Sequence, residues 1–71
     1  MQYSEIGKFI KFKREQTGLS LNKFATEAGI DSAVLSRTEN LKQGVKLSTL
    51  YNIANALNTT PAKFLEEFEN L

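Results

Sequence analysis

The stretch TGLSLNKFATEAGIDSAVLSRTE, Thr17 to Glu39, decides how the chain folds. Within it Leu21, Phe24, Ala25 and Ala28 recur at i, i+3, i+4 and i+7, the spacing of one face of an α-helix. Ser20 stands just before them as an N-cap, its hydroxyl oxygen placed to accept from an amide the helix leaves unpaired. Gly29 ends this helix after barely two turns, because glycine takes the left-handed backbone of a helix stop without a Cβ penalty. Two residues on, Asp31 caps another short helix, about Ser32 to Asn40.

The second of these helices has two unlike sides. Val34, Leu35 and Thr38 fall on one, and Ser32, Ala33, Ser36, Arg37 and Asn40 on the other. The outward side holds small residues, one arginine and one asparagine. A merely solvated face more often carries paired Glu and Lys.

Outward from this segment the helical pattern continues. Ser4 and Glu5 open a first helix whose Ile6, Phe9, Ile10 and Lys13 stem share a face and which stops at Gly18. After a break from Leu41 to Lys46, a fourth helix is predicted from Leu47 to Leu57, with a broad stripe of Leu47, Leu50, Tyr51, Ile53, Ala54 and Leu57. Asn58 to Pro61 forms the last break, and Thr60 followed by Pro61 is an N-cap followed by a favoured first helical residue. The fifth helix carries Phe64, Leu65, Phe68 and Leu71. The reading is all-α, five helices, one domain over 1–71, with no strand alternation, repeat or linker.

Composition removes several functions. The 71 residues contain no cysteine and no histidine. Disulfides, thiolate metal sites and catalysis by Ser-His or Cys-His are therefore absent, and an enzyme is not expected. No phosphate-binding glycine-rich loop and no metal-ligand spacing is present, so neither cofactor nor metal is expected. No apolar run reaches the roughly 20 residues a membrane span needs, and the start does not read as a secretory signal, so the expectation is a soluble cytoplasmic domain. The net charge of +1 hides an asymmetry: through Lys46 eight Lys/Arg face five Asp/Glu, and from Leu47 on one Lys faces three Glu.

Two short helices joined by a glycine turn form the helix-turn-helix pattern. Ala25 keeps the helix crossing close, Gly29 reverses the chain, Ile30 plugs the interior after the turn, and Leu35 anchors the second helix from within. Each feature is common alone, and together at this spacing they are fairly specific.

The segment Thr17 to Glu39 resembles the phage repressor/Cro type of helix-turn-helix domain, the XRE family. Ile6-Gly7 and Arg14 resemble that family's first helix. Leu47 to Leu50, Ala54 to Leu57, and Pro61 to Leu65 resemble its last two. The resemblance implies a compact five-helix bundle of the lambda-repressor-like type that binds double-stranded DNA, usually as a homodimer, in bacterial or phage transcription control. It makes the third helix the recognition helix of the major groove. By the same resemblance Ser32, Ala33, Ser36 and Arg37 face base edges, Arg37 with a fork suited to guanine O6 and N7. Asn40, Lys42, Gln43 and Lys46 on one side, and Ser20, Asn22 and Lys23 on the other, correspond to phosphate contacts. Arg14 and Glu39 correspond to a partly buried ion pair.

Three positions depart from the family. Leu21 stands where a glutamine is frequent, Thr38 where an aliphatic core residue is usual, and Leu41 where a glycine is common, leaving Gly44 as the flexible point of its loop. The apolar side chains of the fifth helix exceed what a small core covers, and Phe68 and Leu71 are the expected dimer interface. A competing reading of the same fold is a module that binds a partner protein, with an antitoxin, which binds both a toxin and its own operator, as the mixed case. The polar outward face of the third helix speaks against pure protein interaction.

Overall fold

In the computed structural model, which describes residues 5–40 and 44–71, five helices run α1 (Ile6–Thr17), α2 (Leu21–Ala28), α3 (Ser32–Asn40), α4 (Leu47–Ala56) and α5 (Pro61–Glu69). Ser4, Leu41, Lys42 and Gln43 lie outside the described residues. No described helix is long and apolar enough to cross a membrane.

Local chemistry explains most boundaries. Ser20 Oγ accepts from the Lys23 amide at 3.2 Å, Asp31 Oδ1 from the Ala33 amide at 2.7 Å, and Thr60 Oγ1 from the Lys63 amide at 3.2 Å. Glu5 occupies the N-cap position of α1 and makes no side-chain cap bond. The turn after α2 is a Schellman motif. Gly29, at φ 71°, donates to the Thr26 carbonyl at 3.1 Å, and Ile30 donates to the Ala25 carbonyl at 3.0 Å. That geometry needs the left-handed residue found there, and it swings α3 across α2. Helix α4 ends one residue earlier than the pattern predicted, with Leu57 as its C-cap.

The core gathers Ile6, Phe9 and Ile10 of α1, Phe24 and Ala25 of α2, Leu35 of α3, Leu50 and Ile53 of α4, and Phe64 and Phe68 of α5. Phe9 is its aromatic hub, with ring centroids 5.0 Å from Phe64 and 5.5 Å from Phe68. Leu19, Leu21, Ile30, Val45, Leu57 and Leu65 close its rim.

Two expectations need correction. Phe68, expected at a dimer interface, is only 3% exposed and belongs to the core, because the aromatic surface of Phe9 covers it. The stripe on α4 is narrower than read. Leu50, Ile53 and Ala54 are buried, whereas Leu47 and Tyr51, one turn apart on the other side, are 66% and 52% exposed. Of Phe64, Leu65, Phe68 and Leu71 only Leu71 is exposed, and it lies past the end of α5.

Helix α1 holds α3 in two ways. Gly7 lies so close to the end of α3 that a Cβ there would collide with the Thr38 carbonyl oxygen and stand 3.0 Å from that of Glu39. Glycine at a helix interior costs about 1 kcal/mol relative to alanine, and here it permits backbone to approach backbone. One face along, Arg14 is paired with Glu39. Lys13, pairing with Glu67 at 2.9 Å, ties α1 to α5 at the surface.

Candidate nucleic-acid interface

The site is α3 with the starts of α2 and α4 on either side. Along α3, Leu35 and Glu39 are buried, Val34 and Thr38 are half-buried, and Ala33, Arg37 and Asn40 are exposed. Ser32 and Ser36 are half-buried, at the margin of the outward face rather than its centre. The geometry therefore narrows the five outward residues to a central strip of Ala33, Arg37 and Asn40, which share one side at intervals of three and four.

The side chains of α3 differ in how free they are. Asn40 Nδ2 donates to the Ser36 carbonyl at 2.8 Å, which commits one of its donors and leaves the rest of the amide outward. Thr38 Oγ1 donates to the Val34 carbonyl at 2.8 Å, so the hydroxyl that replaces the usual aliphatic residue is satisfied inside the helix. Arg37 forms no ion pair among the described residues. Arg37 borders an open cleft of about 480 Å³ between α3 and the start of α4, lined also by Asp31, Val34, Thr38, Lys46 and Ser48.

The flanks offer donors. At α4, Lys46 is exposed in the N-cap position, and neither a side-chain cap nor an acidic residue occupies the first turn. Cation and open helix amides together attract a phosphate. At α2, Ser20, Asn22 and Lys23 are all exposed. The Ser20 oxygen already accepts from Lys23, which leaves its hydroxyl proton to donate outward. Leu21 is half-buried against the core, so this departure from the family trades a polar anchor for packing. Lys42 and Gln43, the remaining expected phosphate contacts, lie outside the described residues.

Behind the outward face sits the network that orients it. Arg14 Nε donates to Glu39 Oε2 at 2.8 Å and Nη2 to Oε1 at 3.1 Å, while Nη1 donates to the Leu19 carbonyl at 3.1 Å. One guanidinium thus joins α1, the turn into α2, and α3. The pair is buried, with side-chain exposures of 11% and 1%. The hydrogen bond to Glu39 raises the Arg14 pKa above its ordinary value against an opposing effect of burial, so the charge persists. Among the described residues no cluster of His, Cys, Asp and Glu could hold a metal ion.

The sequence pointed to Gly7 only through the family resemblance of the first helix, and it did not point to Phe12 at all. A glycine inside a helical pattern is itself the usual sign of a close approach. Phe12, 52% exposed, gave no such sign, because its exposure depends on where α5 packs.

This architecture is that of a helix-turn-helix DNA-binding domain. The helix-turn-helix family model matches residues 10–64, and the chain belongs to that family, in its repressor/Cro type. No curated protein matches the chain.

Proposed function

We propose that the protein is a sequence-specific regulator of transcription that places α3 in the major groove of a palindromic operator and represses by occupying it. The observation that carries this reading is the strip of Ala33, Arg37 and Asn40, an exposed face with an arginine free of any ion pair among the described residues. Arg37 reads guanine, Ala33 offers a methyl-sized apolar contact, and Ser32 and Ser36 act as tolerant readers at its edge. Lys46 with the amides of α4, Asn40, Lys42 and Gln43 grip one phosphate stretch, and Ser20, Asn22 and Lys23 the other. One copy carries one recognition helix, and a palindrome presents two half-sites roughly 34 Å apart. Two copies then read one operator, in the cytoplasm of a bacterium or of a phage-infected cell.

Binding to random genomic DNA tests the class. Retention near 50 mM salt that falls steeply as salt rises is the expected behaviour. No retention even at about 50 mM salt would sink the operator reading, the antitoxin that binds its own operator included, and leave a pure protein-interaction module in its place.

A further inference from the structure

One side of α1 serves neither the core nor α3. Gly7 and Arg14 turn toward α3, and Ile6, Phe9 and Ile10 toward the interior. Phe12, five residues on from Gly7, points elsewhere and is 52% exposed. Its ring borders a shallow groove of about 200 Å³ formed with Phe9 and Phe68, Glu5 and Lys8, and Leu71, which is itself 67% exposed. Phe12 and Leu71, two of the four exposed large apolar side chains among the described residues, thus stand together at one groove.

The charges along the same side identify what covers it. Lys8 lies one turn before Phe12 and Glu15 one turn after, so the three share an outward stripe. Both charged residues are exposed, and neither joins an ion pair among the described residues. Read along the helix from Lys8, the order is cation, aromatic ring, carboxylate, with Glu5 a turn before Lys8 and exposed Lys11 beside the stripe. A second copy laid antiparallel across the first presents that order reversed. Each Lys8 then faces a Glu15, and the two Phe12 rings meet at the dyad. Such a pattern is self-complementary under two-fold symmetry, which is the requirement for an isologous interface.

We propose that this stripe is the contact between two copies of the chain, α1 against α1, with Leu71 covering the flank of the Phe12 pair. The proposal rests on the dimeric operator reading above and names its surface. It replaces the buried Phe68 with Phe12 as the apolar centre and retains Leu71. The contact leaves α3 uncovered, because Gly7 and Arg14 meet α3 from the other side of α1. One helix face is small beside the roughly 1,000 Å² of a stable interface, so the free dimer is weak and shows at high micromolar concentration.

Sedimentation equilibrium of the full chain without DNA, from about 10 μM to about 1 mM, tests it. The wild type is expected to show a monomer–dimer equilibrium, weakened about tenfold or more by Phe12→Ser. Lys8→Glu and Glu15→Lys should each weaken association, since each variant opposes like charges twice across the dyad. An equimolar mixture of those two variants should associate again, because the mixed dimer restores both pairs. The contact is overturned by a wild type that stays monomeric throughout. It is equally overturned by dimers indifferent to all three substitutions, or by a mixture no stronger than either variant alone. Binding of random DNA at low salt, measured on the same proteins, separates the two readings. Variants that stop associating while still binding support the contact. Chains that associate through this stripe but bind no DNA support it too and refute the operator reading instead.

Discussion

Arg14 and Glu39, twenty-five residues apart in sequence, share two hydrogen bonds of 2.8 and 3.1 Å at the junction of α1 and α3. Glu39 is almost wholly enclosed, and among the described residues this one guanidinium is its side-chain partner. Removing the arginine strands a buried charge, and Arg14→Ala should lower unfolding stability by about 3–5 kcal/mol in urea titration. Replacing both partners by apolar residues, Arg14→Met with Glu39→Leu, should cost much less than Arg14→Met alone. A loss under about 0.5 kcal/mol for Arg14→Ala would contradict the enclosed pair. The raised pKa of Arg14 also has a sign. Its contribution is fully present below the unfolded arginine pKa and is lost only as pH rises through the higher folded value. Stability attributable to this group should therefore stay level through neutral and moderately alkaline pH.

Gly7 governs the same junction through backbone contact. Gly7→Ala supplies a Cβ that meets the Thr38 and Glu39 carbonyl oxygens, neither of which is a flexible side-chain end. Overpacking of this kind costs about 1–3 kcal/mol or more, and it outweighs the roughly 1 kcal/mol that alanine gains inside a helix. Thermal unfolding should show a clear drop in midpoint. An unchanged or raised midpoint would mean that α1 and α3 are less closely joined than described.

Phe68 and Phe12 make a contrasting pair. Phe68 is buried against Phe9, so Phe68→Ala should destabilise by about 3–5 kcal/mol. Phe12 stands half in solvent, so Phe12→Ser should change the stability of the isolated chain by less than about 1 kcal/mol. Denaturant titration of the two at low protein concentration checks the order, and equal losses would contradict it.

Lys46 and Arg37 should differ in what they give to DNA. If Lys46 grips a phosphate as proposed, Lys46→Ala should lower affinity evenly across sequences and reduce the salt slope by about 1. A sequence-dependent effect of Lys46→Ala would place it at a base instead.

The parts legible in the sequence are those set by local chemistry. The helix pair α2 and α3 follows from apolar spacing, from the caps Ser20 and Asp31, and from the left-handed stop at Gly29. The outward side of α3 was legible too, because a side without core residues or paired charges is unusual for a solvated helix. What was not legible depends on neighbours distant in sequence. Phe68 read as surplus apolar surface because nothing in its own helix shows that Phe9 lies over it. Leu47 and Tyr51 fit a helical stripe, yet among the described residues no element packs on the second side of α4 to bury them. Ser32 and Ser36 share the wheel position of readers, and only the packing of α3 shows that they lie at its margin.

The central claim is that α3 reads DNA through Arg37. Selecting bound sequences from a random pool, with the wild type and with Arg37→Ala, measures this most directly. A two-fold symmetric site is expected for the wild type. Arg37→Ala should relax preference at one base pair per half-site, worth roughly 1–3 kcal/mol, and leave the others unchanged. Uniform weakening across all sequences, or no selected sequence for the wild type, would contradict the claim.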